Sequence, residues 1–103
     1  MTLSEIKTLL VSADATIKHY FSKSTGSAYS YWEETRMLPT VSDGEHDEHW
    51  MFRVHRFTKE ENDATAAAIF AKLDGDPRVS VRWIQGGYEH DTGYLHHIFE
   101  CEG

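Results

Sequence analysis

The stretch WMFRVHRFT, residues 50–58, decides the fold because its side chains change character at every second position. The apolar members of the alternation are Trp50, Phe52 and Val54. Between them lie Met51, Arg53 and His55, most of which are polar. Side chains of an extended strand point alternately to its two faces. The stretch therefore predicts a strand with one apolar face toward a core and one charged face.

Helical patterns flank this strand on both sides. Directly after it, TKEE at residues 58–61 reads as a capping box in which Thr58 starts a helix, and DGDP at residues 74–77 ends that helix. Its apolar stripe is Ala66, Ile69, Phe70 and Leu73. At the start of the chain, Thr2 and Glu5 form a second capping box for a helix that runs to about Ser12.

Period-two patterns predict four more strands. Residues 17–21 and 28–38 alternate around the polar break SKSTGS and read as a hairpin. Residues 79–84 form a strand ended by Gly86 and Gly87, and residues 94–101 form the last strand. The chain is thus predicted to be a single α+β domain, 1–103, in the order α-β-β-β-α-β-β. Its antiparallel or mixed sheet has about four to five strands, with two helices packed on one face.

Composition argues against several functional classes. The formal net charge is −7 and the basic residues are dispersed, which disfavours specific nucleic-acid binding. The single cysteine, Cys101, allows no internal disulfide. No apolar run is long enough to cross a membrane and no signal peptide begins the chain, so we expect a cytoplasmic site of synthesis and no membrane partner.

The sequence gives no positioned catalytic set. No serine lies in a nucleophile elbow, and Gly86 and Gly87 do not extend to a phosphate-binding loop. His97 and Cys101 share a face of the last strand but lie about 13 Å apart along it. We therefore expect no enzyme activity, no catalytic residue and no cofactor.

The histidines raise a metal site as the alternative. GEHDEHW, residues 44–50, holds two histidines and three carboxylates, but in an extended segment His46 and His49 point to opposite sides, so a solvated loop is the expected structure. His96 and His97 are also neighbours that face opposite ways; one is expected half-buried against aromatic rings and the other solvated. The metal-ligand candidates are His46, His49, His96 and His97. A three-histidine site completed by His55 or His19 is a further alternative.

Several stretches together resemble a known family. They are a Y-x-Y-W pattern at residues 29–32, RVHRFTKEE at 53–61, AAAIFAKLD at 66–74 and DTGYLHHIFECEG at 91–103. In this arrangement the chain resembles the small tail-completion or tail-terminator proteins, which join head and tail in long-tailed bacteriophages and prophages. The resemblance covers nearly the whole chain.

The resemblance implies a non-enzymatic virion protein that terminates the tail tube and joins the tail to the head. Its partners would be further copies of itself in a ring, a hexamer on the tube, together with the major tail tube protein and a head-completion or neck protein. It would be assembled in the bacterial cytoplasm and reside at the head-proximal end of the tail. The interface candidates are Asp43, Glu45, His46, Asp47, Glu48, Arg53, His55 and Arg56. The alternatives are a head-side neck adaptor or stopper, and a small cytoplasmic ligand- or metal-binding module.

Overall fold

A computed structural model describes residues 1–20, 26–39 and 48–103. These residues form two helices, α1 (Leu3–Ala13) and α2 (Ala64–Gly75). The strands are β1 (Lys18–His19), β2 (Ala28–Met37), β3 (Trp50–Thr58), β4 (Ser80–Tyr88) and β5 (Leu95–Glu102). The predicted α+β class and element order are confirmed.

The five strands form one mixed sheet in the order β1-β2-β3-β5-β4. β1 runs parallel to β2, whereas the β2–β3, β3–β5 and β5–β4 pairs are antiparallel. β3, the strand of alternating side chains, lies at the centre, and β4 lies at one edge. Among the described residues, no helix has the length and apolar character needed to cross a membrane.

The predicted hairpin between the first two strands is wrong. Lys18 lies opposite Tyr31 and His19 opposite Trp32 in parallel register, and a parallel pair cannot be joined by a tight reversal. Tyr20 has a φ of 70°, in the left-handed region, so extended backbone ends directly after His19. The alternation in this segment therefore belongs to a two-residue strand.

Both helices cover the same face of the sheet, as the sequence predicts. The helical side chains buried there are Ile6, Leu10, Ala66, Ile69 and Leu73. The sheet contributes Trp32, Phe52, Val54, Phe99 and Cys101. Burying a large apolar side chain contributes roughly 1.5–3 kcal/mol, so this layer supplies most of the driving force for folding.

The two helix starts differ from each other. At α1 the predicted capping box is confirmed: the Glu5 amide donates to Thr2 Oγ1 at 3.1 Å, and the Thr2 amide donates to Glu5 Oε1 at 2.9 Å. At α2 the predicted box at residues 58–61 is wrong, because Thr58 still belongs to β3. The N-cap is Asp63, whose carboxylate accepts from the Ala66 amide at 3.1 Å.

Gly86 and Gly87 do not end β4, contrary to the prediction. The register shifts between Gln85 and Gly87, where Gly87 has a φ of 103°, and the strand then continues to Tyr88. This is a β-bulge, which glycine accommodates because it has no Cβ to clash at positive φ. A Cβ on Gly86 would lie 3.0 Å from His96 Nδ1, so the missing side chain also makes room for that imidazole.

Candidate assembly face and its histidine cluster

Neither helix packs on the second face of the sheet within the part of the chain that the structure describes. We call it the open face and the helix-packed side the covered face. Strand register and alternation give the central side chains of the open face as Tyr29, Tyr31, Glu33, Arg53, His55, Phe57, Arg82, Ile84, His96, Ile98 and Glu100. It combines a charged row with an aromatic and aliphatic region.

The charged row crosses four strands with alternating sign. Glu33 lies opposite Arg53, Arg53 opposite Glu100, and Glu100 opposite Arg82. Arg82 Nη2 donates to Glu100 Oε2 at 2.9 Å, and Arg53 Nε lies 3.8 Å from Glu100 Oε1. Because these pairs are exposed to solvent, each contributes little stability. Their ordered sign pattern is a feature that a complementary surface can recognise.

The aromatic region of the open face is covered mainly by its own rings. Tyr29 stacks on Phe57 at 4.6 Å between ring centroids, Phe57 on His96 at 4.1 Å, and Tyr31 on His55 at 4.5 Å. As a result only 6% of Phe57 and 7% of His55 are exposed to solvent. Stacked rings thus bury much of each other's surface on the face that neither α1 nor α2 covers.

Within this aromatic region, three side chains form a hydrogen-bonded chain. His55 Nε2 lies 3.1 Å from Glu33 Oε1, and His55 Nδ1 lies 2.9 Å from His96 Nε2. A carboxylate only accepts, so His55 carries its proton on Nε2 and donates it to Glu33. His55 Nδ1 is then an acceptor, and His96 Nε2–H is the donor to it. Glu33 therefore fixes the tautomer of His55, as carboxylates do for functional histidines.

His96 is held in its neutral form by its surroundings. Burial lowers the pKa of His96 below the ordinary histidine value, and the neighbouring His55 lowers it further, while Glu89 acts in the opposite direction. Gly86 lies against the His96 ring and leaves it room. A neutral imidazole keeps one nitrogen lone pair, which is the form that accepts protons and binds metals.

The Arg56 guanidinium is buried on the covered face, where it pairs with side chains of the same chain. Arg56 Nε donates to Asp63 Oδ2 at 2.7 Å and Nη1 donates to Ser30 Oγ at 3.1 Å, while Asp14 Oδ2 lies 3.8 Å away. Burial alone would raise the pKa of Asp63, but the hydrogen bond and charge of Arg56 outweigh it, and the net pKa is lowered. Arg56 is 7% exposed and ties β3 to the start of α2. Its side chain is therefore unavailable as the interface contact predicted from the sequence.

The other predicted interface residues fall into two groups. Asp43, Glu45, His46 and Asp47 lie outside the described residues. Glu48 accepts from the Met1 amino group through its backbone carbonyl at 2.7 Å, and its carboxylate accepts from Trp50 Nε1 at 3.1 Å. Arg53 and His55 lie on the open face, where the former is exposed and the latter is held by Glu33 and His96.

Of the metal-ligand candidates, His46 lies outside the described residues, and His49, His96 and His97 are not brought together. His49 pairs with Glu102 at 3.1 Å, and His96 and His97 lie on opposite faces, as expected for neighbours. No group of three or more His, Cys, Asp or Glu side chains suited to a metal ion occurs among residues 1–20, 26–39 and 48–103. His19 pairs with Glu34 instead of joining His55. The structure therefore joins two histidines of the predicted three-histidine site.

His97 corrects the expectation that one of the two adjacent histidines is solvated. It is 7% exposed on the covered face, where its Nδ1 accepts from Trp83 Nε1 at 3.1 Å. Burial lowers the pKa of His97, and nearby Arg56 adds to this, while Asp63 opposes it. Its Nε2 has no hydrogen-bond partner within the described residues. His97 is thus a neutral core histidine, separated by the sheet from His96.

Cys101 is also a core residue. Burial raises the pKa of its thiol to about 12, and its Sγ–H contacts the Phe99 carbonyl at 3.6 Å. A thiol with so high a pKa is not a thiolate at neutral pH and is a poor nucleophile. The geometry therefore gives no support to a catalytic cysteine.

The edge strand β4 provides a second available surface. Among the described residues no strand pairs with its outer side. Trp83 and Tyr88 on this strand are 38% and 54% exposed. A hollow of about 450 Å³ lies between Trp83 and the first turn of α2. An unpaired strand edge with exposed aromatic residues is a common route to association by strand addition.

Sequence reasoning missed Glu33, and it raised a contact of His55 with His96 and His97 only as an alternative. The signal was present in the register: His55 and His96 are diagonal neighbours on antiparallel strands, and Glu33 lies one strand away on the same face. That signal needs the strand order, in which β5 lies between β3 and β4.

Comparison with known proteins adds no family assignment. A scan against protein-family models finds no match, and a search of curated protein sequences finds no significant match.

Proposed function

We propose that this chain is a phage or prophage virion protein that terminates the tail tube and joins the tail to the head as a ring-forming, non-enzymatic assembly factor. The proposal starts from the resemblance of the sequence to tail-completion proteins. The observation that carries it further is the pairing of an uncovered sheet face with an unpaired edge strand, β4, in the described part of the chain.

A ring requires two different patches on each subunit, one for each neighbour. The outer side of β4 supplies one surface, and the open face supplies another with a different chemistry. The charged row of Glu33, Arg53, Glu100 and Arg82 offers directional recognition, and the stacked rings offer apolar contact area. These two surfaces are the contacts through which we expect copies of the chain and the tube protein to associate.

The acidic composition suits such a position. A formal net charge of −7 disfavours tight contact between this protein and DNA that passes through the neck of a virion. Burial raises the pKa of the Cys101 thiol to about 12, which argues against a cysteine nucleophile and favours an assembly role. In this proposal residues 43–48 form a contact loop, and Arg53 contributes a further contact on the open face.

The test is deletion of the gene in an inducible lysogen that carries it, followed by negative-stain electron microscopy of the lysate. We expect DNA-filled heads beside separate tails of irregular or excess length. Complementation in trans with the wild-type gene should restore joined particles. Complementation with a variant in which residues 43–48 are replaced by a short Gly/Ser turn should fail, although that variant should accumulate as folded protein.

Other outcomes of the deletion would overturn the proposal. Tails of regular length beside heads that lose DNA would assign the chain to the head side of the neck, as an adaptor or stopper. Infectious particles at the wild-type titre would exclude a virion role.

Normal joining by the 43–48 replacement would show that these residues are not a required contact, while leaving tail termination in place.

The alternative of a small metal-binding module is favoured by one specific observation, the His55–His96 pair. Chelator treatment followed by a thermal melt tests it, because a metal that supports the fold contributes stability that the chelator removes. An unchanged melting temperature together with the deletion phenotype would leave the assembly role as the function.

A further inference from the structure

The Glu33–His55–His96 chain places two potential metal-ligand nitrogens next to each other. His55 Nδ1 and His96 Nε2 face each other at 2.9 Å. Zn²⁺ binds imidazole nitrogen at about 2.0–2.1 Å, so two such ligands at a tetrahedral angle stand about 3.3 Å apart. A separation larger by a few tenths of an ångström would admit the ion, and small rotations of the two rings supply it.

The second feature is the carboxylate behind the first ligand. Metal-binding histidines usually donate their other ring N–H to a carboxylate or carbonyl, which fixes the tautomer and raises the basicity of the ligating nitrogen. Glu33 Oε1 occupies that position at 3.1 Å from His55 Nε2. This contact leaves the lone pair of His55 Nδ1 directed at His96.

The third feature is the placement of His96. Its ring stacks on Phe57 at 4.1 Å and lies over Gly86, the one position of the bulge where a Cβ would come within 3.0 Å of Nδ1. Phe57 and Gly86 therefore define the ring plane and its distance from the sheet. To bind a metal through Nε2, His96 carries its proton on Nδ1, a change of tautomer that releases no proton overall.

We propose that His55 Nδ1 and His96 Nε2 are the protein ligands of a site on the open face for a divalent transition-metal ion of the Zn²⁺ class. Glu33 positions His55, and the remaining coordination positions are open to water or to another ligand. A site with two protein ligands binds more weakly than the four-ligand structural sites of zinc proteins. It goes beyond the assembly role, because it assigns ion binding to open-face residues that the assembly role uses only as contact surface.

The experiment uses untagged, chelator-treated full-length protein and Zn²⁺ alone. Isothermal titration should give one saturable site in the wild type. His96→Ala should abolish it, and Glu33→Gln should weaken it about tenfold, the effect expected of a carboxylate behind a ligand. His90→Ala is the matched control, because His90 is exposed on the turn after β4, and it should bind as the wild type does.

Nitrogen NMR of the imidazole rings makes the test independent of whether a variant folds. In the wild type, Zn²⁺ should shift the resonances of His55 Nδ1 and His96 Nε2 and leave those of His90 unchanged. Gly86→Ala should reduce these shifts, since the added methyl displaces the His96 ring. Absence of a saturable Zn²⁺ response in the wild type, or a response confined to other histidines, would overturn the proposal.

Discussion

The two faces of the sheet hold their charged groups in opposite ways. On the covered face, Arg56 is locked between Asp63 and Ser30, with Asp14 close by, beneath a helix start. On the open face, Glu33, His55 and His96 form a chain of comparable length with no helix above it in the described part of the protein. The first arrangement ties a strand to a helix start, whereas the second joins side chains of three neighbouring strands.

The difference shows why closeness in sequence alone misleads about function, whereas strand parity separates the residues correctly. Arg53, His55 and Arg56 lie within four positions of β3, and the sequence groups all three as interface candidates. Arg56 shares the parity of Val54, so it enters the core and serves the fold. Arg53 and His55 share the other parity and lie on the open face, where Arg53 is exposed and His55 is buried among its neighbours.

The largest expected difference in stability between the two faces comes from replacing adjacent residues of β5. Phe99 is fully buried against Phe70 and Trp83 on the covered face, so Phe99→Ala should lower the free energy of unfolding by about 3–5 kcal/mol. Its neighbour Ile98 is half-buried on the open face, and Ile98→Ala should cost less than about 2 kcal/mol. Urea unfolding measures both. Equal losses would mean that the open face is as tightly packed as the core.

A second pair of variants compares the two arginines. Arg56→Ala leaves Asp63 and Asp14 without their cation in a buried setting and should cost about 3–5 kcal/mol. Arg53→Ala removes an exposed side chain and should change stability by less than about 1 kcal/mol. Thermal and urea unfolding under the same buffer conditions make the comparison. If Arg56→Ala left the free energy of unfolding unchanged, the carboxylates of the covered face would have to be solvated.

Acid should weaken the covered face. Burial would raise the pKa of Asp14, but hydrogen bonds from Thr16 and Ser30 and the charge of Arg56 outweigh it and lower the pKa; the pKa of Asp63 is also lowered. Below about pH 4 the unfolded carboxylates take up protons before the folded ones do. The stabilisation is therefore full above that pH and is lost as the pH falls through the folded pKa values.

The variant Asp63→Asn isolates this contribution because it keeps a side chain able to cap α2. Its stability should fall less steeply between about pH 4 and pH 2 than that of the wild type, as measured by urea unfolding at each pH. Identical slopes would assign the acid sensitivity to other carboxylates.

The smallest expected effect on stability is at the open face beside β5. Ile84 is half-buried there, opposite Ile98, and Ile84→Glu should change stability by less than about 1 kcal/mol. The same change should impair tail joining, because it places a charge on an apolar part of the assembly surface. Val11→Glu, on an exposed position of α1, is the matched control and should join tails normally. Normal joining by Ile84→Glu would separate the open face from assembly.

The sequence predicted those parts of the fold that depend on local periodicity. The alternation at residues 50–54 of β3, the Thr2–Glu5 cap and the stripe of α2 each reflect neighbours within a few residues, and the structure confirms them. From His55 to Thr58 the alternation in exposure is lost, because side chains on both faces of β3 are buried. The parallel pairing of β1 and the bulge at Gly86 depend on contacts between distant segments. Thr58 is held in β3 by Ala28 and Leu95, which no local pattern reveals.

The histidine cluster shows the same limit. Single histidines and their alternation were visible in the sequence, but the pairing of His55 with His96 and the position of Glu33 follow from β5 lying between β3 and β4. Strand order is a long-range property. The entropic cost of closing a loop changes slowly with its length, so loop lengths alone allow several strand orders.

The most direct test of the assembly role is reconstitution in a lysate from the deletion lysogen. Purified wild-type protein is added to the separated heads and tails, and infectious particles are counted as plaques. The account predicts a rise in titre that depends on the amount of added protein and stops once free tails are consumed. A titre unchanged by the protein, or a deletion lysate that is already fully infectious, would contradict the proposed role in joining tail to head.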